Sequence, residues 1–132
     1  NLRQMWNYSD FRFRNDAING NNRIPGIPQH LLRTTLTYTH QSGFYIAPEF
    51  VWVPMGAFAD YKNTQRVPGY STYGIKSGIE FKNGVSVYVD ARNLGNKRYV
   101  SDMSPMVQFT AASSAFYTGE GRAVYGGVKA KF

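Results

Sequence analysis

The chain has 132 residues, which is the length of one domain or of part of one. Fifteen Lys and Arg residues against eight Asp and Glu residues give a net charge of +7, but no basic run or aromatic recognition motif accompanies this excess, which argues against nucleic-acid binding. The chain contains no Cys, which excludes disulfides and thiolate sites, and no apolar run approaches the roughly 18 residues of a transmembrane helix, so any membrane-spanning role requires strands.

The chain begins at Asn1 with neither an initiator Met nor the basic and apolar regions of a signal peptide, and we expect an N-terminal portion to precede it. Large side chains recur at a period of two over residues 2–14, which predicts the first strand. Residues 15–29 are rich in Asn, Gly and Pro, and Pro25 and Pro28 forbid continuous ladder hydrogen bonding. This segment is therefore predicted to be a long loop.

The next two strands are joined by a short turn. Alternation over residues 30–39 and 44–53 predicts an antiparallel pair, and residues 40–43 supply the turn between them. Pro48 has no N–H group to donate to a ladder, so we expect a bulge or a gap in hydrogen bonding within the third strand. Residues 54–69 are polar and are predicted to be a second long loop.

The clearest alternation lies in residues 70–81 and 84–92, which we predict to form a hairpin joined by Lys82-Asn83-Gly84. One face of this hairpin carries no charge, whereas the other carries four charged side chains. These are Lys76, Glu80, Asp90 and Arg92. The apolar face would be buried against a second sheet in a soluble sandwich, or would face lipid in a membrane barrel, and the hairpin alone leaves both alternatives open.

The end of the chain alternates again after a third loop. Residues 101–120 are rich in Ser, Thr, Ala and Met and are predicted to be that loop. Residues 121–132 are predicted to be the last strand, whose two faces differ in polarity. One face carries Val124, Val128, Ala130 and Phe132, and the other carries Tyr125, Lys129 and Lys131.

Long loops and tight turns thus alternate along the chain. In a meander this order places every long loop at one end of the sheet, as in bacterial outer-membrane barrels. Aromatic residues near the strand ends fit two interfacial girdles. These residues are Phe44, Trp52, Tyr70, Phe81 and Tyr99. The predicted fold is all-β, an antiparallel up-and-down meander of about six strands within a larger transmembrane β-barrel, because the smallest such barrels have about eight strands.

Three segments resemble motifs of TonB-dependent outer-membrane receptors. Asn93-Leu94-Gly95-Asn96-Lys97-Arg98-Tyr99 resembles the NLFDKRY signature near the end of these receptors, with Gly95 replacing the usual aromatic residue and Asn96 the usual Asp. Pro25-Gly26-Ile27-Pro28-Gln29-His30 resembles their PGVPxH segment, and residues 121–132 resemble their closing strand with its terminal aromatic residue. The order and spacing of the three segments also fit, so the resemblance covers nearly the whole chain.

The resemblance implies an active importer in the outer membrane of a Gram-negative bacterium, with residues 1–132 as the C-terminal section of its barrel. Such receptors have a barrel of about 22 strands that is blocked by a plug. They bind a scarce ligand, commonly a ferric siderophore and sometimes haem or cobalamin. The TonB complex supplies energy through an N-terminal region that this sequence does not contain. The resemblance also implies outer-membrane lipid and the barrel-assembly machinery as partners.

Candidate functional residues follow from this resemblance. Ligand contacts are expected in the long loops, where cations and aromatic rings suit an anionic ferric chelate, although for any single residue a solvated loop position is the commoner explanation. The candidates are Tyr61, Lys62, Arg66, Tyr99, Phe116 and Tyr117. The four charged residues of the hairpin are expected to line the lumen as a charge ladder, in which each pair of opposite charges contributes about 0.2–1 kcal/mol. Val124, Val128, Ala130 and Phe132 resemble the C-terminal signal read by the barrel-assembly machinery.

Two rival interpretations remain. One is a passive porin-like barrel without a plug, and the other is a soluble antiparallel binding module, for example for carbohydrate. Catalysis has little support in the sequence, because His30 and His40 lie at opposite ends of one strand and no paired carboxylates or Ser-His-Asp spacing is present. We therefore expect neither an enzyme nor a bound cofactor.

Overall fold

The computed structural model describes residues 1–110, 112 and 116–130, all of which lie in strands, turns or loops. This part of the chain contains no helix of the length and apolarity that a membrane crossing requires. The described strands, in chain order, are β1 (Leu2–Tyr8), β2 (His30–Leu36), β3 (Tyr38–Thr39), β4 (Phe44–Val53), β5 (Tyr70–Glu80), β6 (Val85–Arg92), β7 (Val100–Met103), β8 (Phe116–Thr118) and β9 (Ala123–Ala130).

The main sheet is an antiparallel meander. Its long strands are ordered β1, β2, β4, β5, β6 and β9, and each pairs with the long strand that follows it in the sequence. β3 continues β2 after the single residue Thr37 and pairs with the same partner, β4. Within the described residues the sheet is open, with β1 and β9 at its edges. The predicted all-β meander of about six strands is therefore confirmed.

Two tight turns of the same kind lie at one end of the sheet. In the first, the N–H of His40 bonds to the carbonyl of Phe44 at 2.8 Å, and in the second, the N–H of Phe81 bonds to the carbonyl of Val85 at 2.8 Å. Each turn ends in a glycine with positive φ, 87° at Gly43 and 82° at Gly84. Glycine adopts this conformation without steric strain, so the position of each glycine fixes the turn and the strand register.

The opposite end of the sheet carries three long connections. We call them loop 1 (residues 9–29), loop 2 (residues 54–69) and loop 3 (residues 93–122). Their placement follows from the antiparallel order of the strands, because consecutive long strands run in opposite directions. The predicted separation of long loops from tight turns is thus confirmed.

Pro48 produces a gap in the sheet rather than a bulge. The pairing of β2 with β4 ends at Thr35↔Glu49, and the pairing of β3 with β4 begins at Tyr38↔Ile46 in the same register. No extra residue is inserted, so the missing N–H of proline interrupts the ladder without displacing it. The prediction of a bonding gap is confirmed.

The two faces of the sheet differ sharply in polarity. Residues paired directly across neighbouring strands lie on the same face of a sheet. By this rule, one face carries no Lys, Arg, Asp or Glu of the described strands. We call it the apolar face. Many of its large side chains are exposed, for example 64% for Trp6 and 71% for Val128. Large exposed residues of this face are Trp6, Tyr8, Leu36, Tyr38, Phe44, Phe50, Trp52, Tyr73, Val87, Val89, Val124 and Val128.

The other face, the polar face, carries the charged side chains of the strands. They are Arg3, Arg33, Glu49, Lys76, Glu80, Asp90, Arg92 and Lys129. The register also places Tyr70 here, opposite Val53, and Tyr99 packs on the ring of Tyr70. The expectation that Tyr70 and Tyr99 belong to an outward aromatic girdle is therefore wrong, whereas Phe44 and Trp52 do lie on the apolar face.

The first strand is shorter than predicted. β1 ends at Tyr8 instead of Arg14, and loop 1 then forms an irregular arm held by the isolated bridges Arg12↔Arg23 and Asp16↔Gly20. The polar residues around Ser9 break the alternation at this point, so the period-two pattern beyond it does not continue the ladder.

Loop 3 contains two strands that the sequence pattern did not predict. β7 and β8 pair with each other in a small separate sheet, with an irregular register between Val100 and Asp102. Both strands are too short to show a period-two pattern in the sequence. Their apolar residues Val100, Met103 and Phe116 pack into the core formed by the loops and not onto the main sheet.

The main buried apolar cluster lies in the loops and not on either face of the sheet. Four buried residues form its centre, and three partly buried side chains pack against them. They are Ala57, Ala59, Val67 and Met103, with Val100, Phe109 and Phe116 around them. Loops 2 and 3 therefore share one small core, which makes a folded layer at this end of the sheet.

Candidate functional site

Asp60 joins loop 2 to loop 3. Its side chain is fully buried and accepts hydrogen bonds from the backbone N–H groups of Thr64 at 2.8 Å, Gln65 at 3.3 Å and Phe109 at 3.0 Å. The hydroxyl of Thr64 also donates to this carboxylate. Burial raises the pKa of Asp60, but these hydrogen bonds outweigh burial and hold the pKa below its ordinary value of 3.8. The carboxylate is thus kept ionised inside the loop layer.

Asn63 joins loop 2 to loop 1. Its side-chain oxygen accepts a hydrogen bond from the N–H of Arg23 at 2.7 Å, and its side-chain nitrogen donates to the carbonyl of Arg23 at 2.9 Å. Asn63 has a φ of 57°, a conformation that Asn tolerates better than most residues. Loops 1, 2 and 3 are consequently tied together through residues 60–63.

Two of the predicted ligand residues, Tyr61 and Lys62, take part in these contacts between loops. The ring of Tyr61 lies 5.9 Å from the ring of Phe13, and its carbonyl accepts a hydrogen bond from the side chain of Asn22. The ammonium group of Lys62 donates to the carbonyl of Ile18 at 2.8 Å. Both residues therefore brace loop 1 in the described conformation.

Arg66, Phe116 and Tyr117 have three different environments. The guanidinium of Arg66 lies 4.1 Å above the ring of Phe58, within loop 2. Phe116 packs against the loop core, with its ring 6.2 Å from that of Phe109. Tyr117 is 59% exposed, so its ring is open to solvent at the loop end. The structure does not gather the six predicted ligand residues into one pocket.

A cavity of about 220 Å3 lies on the polar face next to the loop layer. Four charged side chains from three strands and from loop 3 line it, together with two stacked tyrosines. They are Arg33, Glu49, Arg92 and Glu120, with Tyr70 and Tyr99. Among the predicted ligand residues, only Tyr99 lines this cavity.

The ring of Tyr99 forms one wall of this cavity. It stacks on Tyr70 with the ring centres 4.2 Å apart, and the backbone of Gly119 also lies close to it. A Cβ at position 119 would be 2.1 Å from the ring, so a larger residue here would force the ring of Tyr99 to shift. The N–H of Gly119 also bonds to the carbonyl of Tyr99 at 2.9 Å, which joins the beginning of loop 3 to its end.

Three of the four predicted ladder residues form a charge network on the polar face. The guanidinium of Arg92 contacts the carboxylate of Asp90 at 2.8 Å, and the ammonium group of Lys76 lies 3.9 Å from the same carboxylate. Arg92 also reaches Glu120 at 3.8 Å, which connects the sheet to loop 3. Glu80 lies nearer the tight turn, opposite Ser86.

Asn93, the first residue of the predicted signature, anchors both ends of loop 3. It is buried, and its side chain donates to the carbonyls of Lys97 at 2.9 Å and Glu120 at 2.8 Å. Its side-chain oxygen accepts from the N–H of Lys97, and Asn96 accepts from the N–H of Arg122 at 3.1 Å. These bonds explain why Asn suits both positions at the end of β6.

The departure from the signature at Gly95 has a structural counterpart. A Cβ at this position would lie 3.1 Å from the ring of Tyr73. The carbonyl of Tyr73 also accepts the N–H of Leu94 at 2.9 Å. The ring of Tyr73 therefore lies next to Gly95, where the usual signature has an aromatic side chain.

The segment Pro25 to His30 leads from loop 1 into β2. Gly26, with a φ of 85°, donates its N–H to the carbonyl of Phe58 in loop 2 at 2.9 Å. At the strand entrance, the indole of Trp6 donates to Nδ1 of His30 at 3.2 Å and stacks on its ring. The segment thus links loop 2 to the apolar face.

The residues expected to carry an assembly signal lie along β9, an edge strand. Val124, Val128 and Ala130 pair with Ala91, Val87 and Val85 and share the apolar face with them. Phe132, the terminal residue of that signal, lies outside the described residues.

Residues of the cavity and loop layer that the sequence analysis missed are Arg33, Glu49, Asp60, Asn63 and Glu120. Arg33 and Glu49 were visible only as members of a polar strand face. The spacing of Asp60 and Thr64 is compatible with a side-chain-capped turn, but many loop sequences share it. In the described part of the chain, no group of three or more His, Asp or Glu residues is arranged to hold a metal ion.

Comparison with known proteins identifies the fold. Residues 1–94 match the family model described as TonB dependent receptor-like, beta-barrel. The ferric preacinetobactin receptor BauA from Acinetobacter baumannii is similar in structure, with a TM-score of 0.71 and 17% identity over 96% of this chain and 19% of that receptor. The ferric yersiniabactin uptake receptor FyuA from Yersinia pestis is also similar in structure, with a TM-score of 0.70 and 20% sequence identity. That match covers 96% of this chain and 20% of the FyuA chain.

These two likenesses concern the fold, and the chain spans only a fifth or less of each receptor's length. The family match covers most of the chain, from the first strand to the end of β6. An open meander with a charge-free, exposed face is what a section of such a barrel requires. The chain belongs to the TonB-dependent receptor family and forms part of its β-barrel.

Proposed function

We propose that residues 1–132 are the C-terminal barrel section of an outer-membrane receptor that imports a ferric siderophore with energy from the TonB complex. The observation that carries this proposal is the family match over residues 1–94. The two similar structures are receptors for ferric siderophores by name, which favours the same ligand class here. Receptors of this family are transport proteins of the Gram-negative outer membrane and not enzymes.

The exposed apolar face supports a position within the bilayer. Its charge-free surface suits lipid, whereas a soluble sandwich would need a second sheet to cover side chains such as Trp52 and Val128. In this proposal the polar face, with Lys76, Asp90 and Arg92, borders the interior of the barrel. The last strand would present the signal that the barrel-assembly machinery reads.

The loop layer supports a binding function at the outer end of the barrel. Its loops are held by Asp60 and Asn63, so side chains on them keep fixed positions without a ligand. In this proposal Tyr99 and Tyr117 contact the ferric chelate, and Tyr61, Lys62, Arg66 and Phe116 hold the surfaces that surround it. Pre-organised loops bind a ligand with a smaller loss of conformational entropy.

Uptake of radioactive iron tests this function. Cells that lack the complete receptor are compared with cells that carry it, each with and without a functional TonB complex, and are supplied with ferric hydroxamate and ferric catecholate chelates. Receptor-dependent and TonB-dependent uptake of at least one chelate is expected. Uptake that requires the receptor but not TonB would instead support the passive porin-like barrel. Haem labelled with radioactive iron and cobalamin labelled with radioactive cobalt are supplied in parallel, and TonB-dependent uptake of one of these alone would replace the siderophore as ligand.

A further inference from the structure

The cavity on the polar face has a floor that lacks a side chain. Gly74 of β5 lies directly opposite Glu49 of β4, and the pairing Ile75↔Ala91 places Arg92 of β6 on its other side. Neighbouring strands lie about 4.8 Å apart, so the backbones that carry Glu49 and Arg92 are roughly 10 Å apart. Gly74 thus leaves an opening between two charged side chains.

The tight strand pairing keeps this floor free. A Cβ at position 74 would come within 2.7 Å of the carbonyl oxygen of Ala91, a contact that the backbone would have to move to relieve. The opening is therefore a consequence of the sheet itself and not of a movable side chain.

The charged groups around the opening are of two kinds. Arg92 is occupied, because it pairs with Asp90 at 2.8 Å and reaches Glu120 at 3.8 Å. On the opposite side, Arg33 and Glu49 form no ion pair with any described residue. The hydroxyl of Thr35 lies 3.4 Å from the carboxylate of Glu49. Within the described residues, Arg33 and Glu49 are thus the positive and the negative group of the cavity that have no ionic partner.

The size of the cavity limits what it can hold. Its volume is about 220 Å3, whereas pockets for complete drug-sized ligands occupy roughly 300–1,000 Å3. A cavity of this size matches one side arm of a chelate rather than a whole ferric chelate.

We infer that this cavity binds a side arm that carries both a carboxylate and an ammonium group, as an amino acid does. The inference rests on the proposed function and names a chemical feature of the ligand. Arg33 donates two parallel hydrogen bonds to the carboxylate of the arm, and Glu49 accepts hydrogen bonds from its ammonium group. The stacked rings of Tyr70 and Tyr99 form the wall against which the arm packs.

The same charges disfavour an arm that carries only negative groups. Glu49 and Glu120 both line the cavity, so an arm with two carboxylates would face two carboxylates and only one free cation. Discrimination of this kind acts through repulsion as much as through attraction.

Binding of three chelates to the complete receptor in detergent tests the inference. The probes are ferric trihydroxamates of equal size whose side arm carries an amino acid group, two carboxylates, or an uncharged ester. We expect the amino acid arm to bind roughly tenfold tighter than the ester, because each hydrogen bond to a charged group is worth that factor or more. Equilibrium dialysis with radioactive iron gives the three dissociation constants.

Two variants assign the effect to the cavity. Arg33→Gln is expected to remove the roughly tenfold preference for the amino acid arm, and Glu49→Gln to reduce it and to improve binding of the dicarboxylate arm. Arg3→Gln removes a positive charge from the same sheet face on β1, at a residue that does not line the cavity, and is the matched control that keeps the preference. If Arg33→Gln fails to fold, the nearly isosteric Glu49→Gln variant still decides the question.

The outcomes separate this inference from the function on which it rests. A receptor that binds all three chelates equally, or Arg33 and Glu49 variants that keep the preference of the control, would overturn the inference and leave siderophore binding intact. A receptor that binds none of the three trihydroxamates would overturn the inference alone, because the proposed function is tested separately by the uptake experiment, which also supplies catecholate chelates.

Discussion

At the scale of single residues, the outer end of the molecule depends on a buried carboxylate. The side chain of Asp60 is fully buried and accepts hydrogen bonds from N–H groups of both loop 2 and loop 3. When a buried N–H group loses its acceptor, the folded state is destabilised by about 1–3 kcal/mol, which is more than one satisfied hydrogen bond contributes to stability. Asp60 therefore stabilises the loop layer mainly because its removal leaves several N–H groups without a partner.

Replacement of this residue should loosen loops 2 and 3 without unfolding the sheet. Asp60→Ala leaves the N–H groups of Thr64, Gln65 and Phe109 unsatisfied, and we expect a loss of about 2 kcal/mol or more in local stability. Hydrogen exchange of loop amides in the complete receptor measures this loss. Asp102→Asn, at an exposed position in loop 3, is the control, and equal exchange in the two variants would contradict the role given to Asp60.

The ionised state of Asp60 predicts a pH dependence. Its pKa is lower in the folded loops than the ordinary value of 3.8, so its contribution to stability is complete above that value and is lost as the pH falls through the folded pKa. Protection of the Phe109 amide should therefore be constant at neutral pH and decrease only in strong acid. Asp60→Asn, which has no carboxylate to titrate, should lack this decrease; a decrease of the same size in that variant would assign it to another group.

At the scale of secondary-structure elements, β6 shows how the two faces differ. Val87 lies on the apolar face between Ile79 and Val128, whereas Ser86 lies on the polar face between Glu80 and Lys129. Alternation in the sequence predicted this division, and the register confirms which residues share a face. The orientation of the faces toward lipid and lumen is part of the proposed function.

Arginine substitutions at these two neighbouring positions test that orientation. In the complete receptor, Val87→Arg should cost roughly 2–4 kcal/mol if the residue lies near the bilayer midplane. Ser86→Arg should be tolerated, because its side chain lies on the polar face beside Glu80. Denaturant unfolding from lipid vesicles measures both variants, and equal losses would show that the assigned orientation is wrong.

At the scale of the whole molecule, the described sheet has two open edges. β1 and β9 each pair with only one strand, so a row of backbone N–H and C=O groups on each is free to bond to another chain. In a closed barrel such edges are paired. The open edges and the exposed apolar face are what a section of a larger barrel presents when it is separated from the neighbouring strands.

The isolated segment is consequently expected to associate when it is produced alone. Strand edges and the apolar face should drive pairing between copies or aggregation in dilute buffer. Light scattering after refolding, with and without detergent, gives the answer. A monomer that remains soluble and folded without detergent would contradict the proposal that the segment belongs to a larger barrel.

The sequence by itself determined the strands of the sheet and their faces. β4 was predicted over the same residues that form it, and β2, β5 and β6 to within a few residues, because period-two alternation and turn glycines such as Gly84 are local signals. The gap in hydrogen bonding at Pro48 was also predictable from the sequence, because the missing N–H group is a property of proline itself. The family was also indicated by local motifs, of which the asparagines at 93 and 96 hold loop 3 through their side chains.

Only the tertiary structure decided how the loops assemble and where the cavity lies. Asp60 meets Phe109 across 49 residues of sequence, and Arg33, Glu49 and Arg92 come from three different strands. Tyr70 and Tyr99 were expected to face outward, yet they stack against each other on the polar face. Contacts of this kind depend on strand register and on the packing of one loop against another, and neither leaves a periodic signal in the sequence.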